Sequence, residues 1–237
     1  MSLLTVVQEF CRRTGLSVPS SVVTSNNPQT LQILGLCNEL VTEMVSDRYS
    51  WRALQQEATF LTIAGESQGS LYSLAGDGYL NIIPGTIWNR SQNVEICGPL
   101  SPEEWQIRKA MPQTGTAYYY RIRGEELLFH PPVSNPGETI AFEYRSDCAV
   151  KAADGTLKPA FTADTDTLII PEHLLSMGLR WKWKEEKGLE FNTAYQSWAS
   201  LVRQSASGDG TKEILDMTCT TPVRLPGILV PYGSYNQ

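Results

Sequence analysis

The residues of this chain best equipped for chemistry are few. His130 and His173 are its two histidines, and neither stands at motif spacing from a serine, cysteine or carboxylate. His130 lies in "LLFHPP", at the end of an expected strand, and His173 in the first turn of an expected helix. Both read as structural. The five cysteines, Cys11, Cys37, Cys97, Cys148 and Cys219, are far apart and odd in number, with no C-x-x-C and no zinc-ligand spacing. They fit small core residues of a reduced, intracellular protein. Asp164 and Asp166, in "ADTDT", form a D-x-D pair that could touch a cation. The glycine and glutamate that an EF-hand loop needs next are absent, so a loop or capping role is expected. No nucleophile elbow, phosphate loop, dinucleotide fingerprint or zincin motif occurs. The residues point to no enzyme, no cofactor and no bound metal.

A second suggestive pattern is "GLRWKWKEEKGLEF", residues 178–191, with two tryptophans two residues apart among charges. Tryptophan beside basic charge can form a platform for nucleic-acid bases. On a helix over 172–187, Trp181 and Trp183 stand ~200° apart, so they cannot share one stacking surface. Leu174, Met177, Gly178 and Trp181 make one apolar row. Leu175, Leu179 and Trp183 extend it round the side, and Arg180, Lys184 and Lys187 take the narrow face that remains. The apolar arc exceeds the ~100° stripe of an ordinary surface helix, so the helix needs something to pack against on two sides. Either both tryptophans are core, or one is buried in a subunit interface, where tryptophan is enriched. Arg180, Trp183, Lys184 and Lys187 are therefore the candidate inter-subunit residues, the positive face being either solvated or salt-bridged to a neighbour.

Composition narrows the partners. The formal net charge of −6 repels phosphate, so tight nucleic-acid binding through counterion release is not expected. Hydrophobic residues make up 41% of the chain, enough for a sizeable core. The start, "MSLLTVVQEF", lacks a basic stretch and reaches Gln8 and Glu9 too soon for a signal peptide. No apolar run approaches the ~18 residues of a membrane span. The expectation is a soluble, cytoplasmic protein without membrane contact.

The elements that must position these residues read as α+β. Leu3, Val6, Val7, Phe10 and Cys11 trace one helical stripe, capped by Ser2 and stopped by Gly15. Asn27 caps a second helix with Pro28 at its first position, and Ile33, Leu34, Cys37, Leu40, Val41, Met44 and Val45 cover about half its circumference. From about residue 57, "EATFLTIA", "SLYSL", "YLNIIPG", "VEICG", "AYYYRIR", "LLFHPP" and "TIAFEYRSD" have the rhythm of an antiparallel β unit. Ser101-Pro-Glu-Glu104 is a capping box for one short helix to about Ala110. A loop follows over 149–167. The helix over 172–187 and another over 189–205, striped by Phe191, Tyr195, Trp198 and Val202, make an αα-hairpin. The expected layout is a helical bundle of residues 1–54 with 168–205, an inserted β-rich domain over 55–167, and an extended C-terminal arm over 206–237. In that arm "SASGDG" reads as a hinge, and Val223, Leu225, Ile228, Leu229, Val230 and Tyr232 as apolar anchors for a partner.

The runs "GEELLFHPPVSNPGETIAFEYRSD" and "ADGTLKPAFTADTDTLIIPEHLLSMGLRWKWKEEKGLEF", with the opening "LLTVVQEFCRRTGL", resemble head-to-tail adaptor (connector) proteins of tailed bacteriophages, especially short-tailed ones. The resemblance implies a structural virion protein: a ring of subunits, expected to be twelve, docked on the portal. Such a ring extends the DNA channel, lets genomic DNA pass without specific binding and receives tail or nozzle proteins. It also implies assembly in the host cytoplasm, residence in the virion neck and a C-terminal arm that grips the portal. Two other readings remain open: a phage tail component whose β domain binds carbohydrate, and a tail-tube or neck subunit that does not contact the portal.

Overall fold

Polar caps set where the first helices begin. Helix α1 (Leu3–Thr14) opens at Ser2, whose Oγ accepts from the Thr5 N–H, and ends at Gly15 in the left-handed conformation, φ 73°. Helix α2 (Pro28–Val45) opens at Asn27, whose Oδ1 accepts from the Gln29 N–H at 3.0 Å. Pro28 there occupies a first-turn position that has no N–H to satisfy. The computed structural model describes residues 1–46, 51–76, 78–110 and 118–209. Among these it is α+β, with six helices and several antiparallel pairings.

The remaining elements follow in chain order. A 3-10 turn, Arg52–Leu54, leads into β1 (Gln55–Leu61), β2 (Gly65–Ser70), α3 (Leu71–Ala75), β3 (Tyr79–Ile82), β4 (Trp88–Asn89) and β5 (Val94–Glu95). Then come α4 (Pro102–Ala110), β6 (Tyr119–Arg123), β7 (Glu126–Val133) and β8 (Thr139–Ser146). The last are β9 (Val150–Lys151), β10 (Leu157–Lys158), β11 (Thr167–Leu168), α5 (Glu172–Glu186) and α6 (Asn192–Asp209).

The chain divides into two compact units. One joins Met1–Gln55 to the described part of Ser146–Glu213; the other holds Gln56–Arg145. In the first unit a single buried cluster takes Phe10 from α1, Leu40 from α2, Leu179 from α5 and Trp198 from α6. Burial of this kind contributes about 25 cal/mol per Å² of apolar surface. Gly178 on α5 marks the closest approach: a Cβ there would lie 2.9 Å from Leu40 Cδ2 and 3.0 Å from Trp198 Nε1.

In the second unit one sheet has the order β1-β8-β4-β5, with β3 also pairing β8, and another has the order β2-β7-β6. Their shared cluster includes Ala58, Tyr120, Leu127, Phe129, Ile140 and Phe142. Phe60 touches both sheets, 6.4 Å from Phe129 and 6.1 Å from Phe142. The capping box opens α4 in both directions: the Glu104 N–H donates to Ser101 Oγ at 3.2 Å, and the Ser101 N–H to Glu104 Oε2 at 2.8 Å.

Three stretches differ from the sequence expectation. "SLYSL" is helical at Leu71–Ala75, not a strand, because Leu71 is buried and Leu74 follows at helical spacing, with Gly76 closing the turn. The expected loop over 149–167 contains β9, β10 and β11, a small sheet ordered β10-β9-β11 that belongs to the helical unit. Strands of two residues carry no readable alternation. Helix α6 runs to Asp209, past the expected start of the arm at 206, and the Asp209 carboxylate accepts from the Arg52 N–H at 2.7 Å.

Candidate subunit interface

The α5 sequence decides what the two tryptophans do. Trp181 faces α6, with ring centroids 5.1 Å from Tyr195 and 5.4 Å from Trp198. Trp183 turns to the other flank and meets Phe10 of α1 edge-on. The two-sided helix is thus covered on both sides by its own unit. Trp183 does not sit on the outer face as the inter-subunit reading required: it is 7% exposed. Lys187 stays exposed, its ammonium 4.4 Å from the Trp183 ring centroid and donating to Gln32 Oε1 at 3.1 Å.

Lys182, between the tryptophans, is the charge that sequence reasoning missed. Its side chain is buried and donates to Glu39, with Glu43 Oε2 3.5 Å away. Burial alone would depress the lysine, but the Glu39 hydrogen bond and the Glu43 charge outweigh it, so its pKa is raised. A lysine between two tryptophans at positions already assigned to an apolar arc gives no sequence signal of its own. Its partners lie on α2, more than a hundred residues away.

Of the proposed face, Arg180 is exposed and Lys184 partly exposed. With Met177 of α5 and Thr193, Ala194 and Ser197 of α6 they line an open groove of about 260 Å³. Among the described residues neither cation has an ion-pair partner. Round the corner, Glu185, Glu186 and Glu190 are exposed and equally unpaired among the described residues. Helices α5 and α6 therefore present a positive groove, and the end of α5 a separate acidic corner.

The Asp-x-Asp pair is explained by backbone hydrogen bonds. Asp164 Oδ1 accepts from the Val22 and Val23 N–H groups at 3.0 and 2.8 Å. Partial burial works against its ionisation, yet the Ser21 hydroxyl and the Val23 and Val22 amides hold the carboxyl below its usual value. Asp166, fully buried, accepts through Oδ2 from the Thr162 and Ala163 N–H groups, both at 2.8 Å. These carboxylates anchor the 158–167 loop and the 21–24 turn. Among the described residues no group of three or more His, Cys, Asp and Glu side chains is placed to hold a metal.

The other chemistry-bearing residues are scattered. The His130 ring lies 5.8 Å from that of Trp105, its nitrogens buried and without a hydrogen-bond partner among the described residues, while His173 is exposed. Cys11, Cys37 and Cys148 are buried cysteines outside any disulfide among the described residues, and Cys97 is an exposed one; burial pushes Cys37 up to about 12. Cys219 and the arm residues Val223, Leu225, Ile228, Leu229, Val230 and Tyr232 lie outside the described residues. Among the described residues no helix is long and apolar enough to cross a membrane.

Two comparisons with known proteins complete the site's description. Residues 1–221 match the family model described as SU10 adaptor protein. No curated protein matches the chain.

Proposed function

The chain belongs to the SU10 adaptor protein family, a family of bacteriophage adaptor proteins, and we propose that it works as a structural ring between portal and tail. In this reading twelve copies dock beneath the portal, continue the DNA channel and offer the surface on which tail or nozzle proteins assemble. The subunit performs no catalysis and needs no cofactor. The observation that carries the reading is the family match over residues 1–221.

Neighbouring copies are proposed to meet through the α5–α6 hairpin. A cyclic ring uses heterologous contacts, one patch on each subunit meeting a different patch on the next. The Arg180–Lys184 groove and the Glu185, Glu186 and Glu190 corner offer two such patches of opposite sign. Charge complementarity of this kind fixes register and speeds encounter. Val223, Leu225, Ile228, Leu229, Val230 and Tyr232 are the proposed anchors on the portal, where many weak arms hold together through effective concentration. DNA would pass without sequence preference, the net charge of −6 opposing adhesion. Native mass spectrometry of the purified chain mixed with the portal of the same phage tests the proposal. A complex carrying twelve copies supports it, and a portal that stays bare refutes it.

A further inference from the structure

Five of the six tryptophans are buried; Trp88 alone is open, at 41% exposure. It belongs to a two-residue strand held on both sides, Trp88 pairing with Glu95 of β5 and with Ala141 of β8. Side chains alternate along β8. Ile140, Phe142 and Tyr144 enter the core cluster, so Ala141 and Glu143 fall on the opposite, outer face with Trp88. That face holds a concavity of about 390 Å³, lined by Glu57, Thr86, Trp88, Arg90, Asn93 and Glu143 among others.

The chemistry of the lining is specific. Ala141 is small, so on the β8 side the indole has no bulky neighbour at its paired position. Arg90 and Glu57 form an ion pair at 2.8 Å, both about half exposed, and present a donor and an acceptor side by side. Asn89 locks the adjoining turn: its Oδ1 accepts from the Ser91 and Gln92 N–H groups at 3.1 Å, and its Nδ2 donates to Glu138 Oε2 at 2.6 Å. A concavity with an aromatic surface and a few convergent polar groups is the usual make-up of a small-ligand site. Two carboxylates against one guanidinium disfavour a phosphate or other anion. A flat face for C–H groups, with donors and acceptors at its edge, suits a neutral polyhydroxylated ring.

We propose that this concavity is a saccharide-binding site, in which a neutral pyranose stacks on Trp88 and its hydroxyls bond to Arg90, Glu57 and Glu143. The proposal does not depend on ring assembly or on the portal.

The test is a titration of the full-length chain, isotope-labelled at tryptophan, with neutral hexasaccharides of glucose, galactose and N-acetylglucosamine. The Trp88 indole N–H signal is assigned by its loss in Trp88→Ala. A saturable shift of that signal, with a Kd of about 1 mM or tighter for at least one sugar, is the expected result. Trp88→Ala should weaken binding of that sugar at least about tenfold, read at the remaining signals or by calorimetry, with Trp88→Phe retaining part of it. Glu57→Gln combined with Glu143→Gln, which leaves the indole in place, should weaken it as well, and covers the case in which Trp88→Ala fails to fold. No shift with any of the sugars overturns the proposal. So does binding that neither variant weakens, or a Trp88 signal that follows protein concentration and not sugar, which would make the face an interface between copies.

Discussion

Phe10 of α1 and Trp183 of α5 meet edge to face, their ring centroids 5.8 Å apart and their planes at 75°. The contact closes the second flank of a helix whose first flank, at Trp181, is closed by Tyr195 and Trp198 of α6. Trp181→Ala and Trp183→Ala should each cost about 3–5 kcal/mol of stability, the usual loss for a core aromatic truncation. Urea unfolding monitored by circular dichroism measures both. A Trp183→Ala protein as stable as the parent would mean that the Phe10 contact contributes nothing.

Gly178 sits where α5 approaches both Leu40 and Trp198. The Trp198 indole is itself fixed, donating to the Leu174 carbonyl at 3.0 Å, so it has little freedom to retreat. Gly178→Ala should destabilise by about 1–3 kcal/mol through overpacking, although alanine is the better helix former by about 1 kcal/mol. The same unfolding experiment gives the sign, and a gain in stability would show that the helices separate freely.

Asp164 should make stability depend on acid. Its folded pKa lies below the 3.8 of the free group. The stabilisation is therefore present above 3.8 and is lost as pH falls through the lower folded value. Asp164→Ala, which leaves the Val22 and Val23 amides without their acceptor, should cost about 1–3 kcal/mol at pH 7. The gap to the parent should narrow below pH 3.8. Thermal unfolding across that range checks both, and a gap independent of pH would contradict the assignment.

Much of the framework was legible because the signals were local. Ser2, Asn27 and the Ser101–Glu104 box announce helix starts that hydrogen bonds now document. The opposite placement of Trp181 and Trp183 follows from helix geometry alone. What covers each of them does not, since Phe10 is distant in sequence and its stripe looks like any other. Lys182 was illegible for the same reason: burial depends on Glu39 and Glu43 arriving from α2. The Trp88 concavity needs β4 to settle beside β8, and a two-residue strand leaves no periodic mark. Asp164 was legible as a loop residue, but not as the partner of Val22 and Val23.

Arg180 and Lys184, being exposed or partly exposed and unpaired among the described residues, should matter to assembly and not to folding. Arg180→Glu with Lys184→Glu should leave the unfolding free energy within about 0.5 kcal/mol of the parent, as surface changes do. It should abolish ring formation measured by analytical ultracentrifugation. Adding Glu185→Lys, Glu186→Lys and Glu190→Lys to the same chain should restore rings by reversing both patches. Rings unchanged by the first pair of substitutions would remove the groove from the interface while leaving the adaptor reading intact.

The central claim is that this chain forms the ring between portal and tail, and electron microscopy of the chain mixed with the portal of the same phage tests it most directly. The account predicts end views with twelvefold symmetry and side views in which a second ring sits coaxially on one face of the portal. Portal particles indistinguishable from those imaged alone, with this chain left as free subunits, would contradict it.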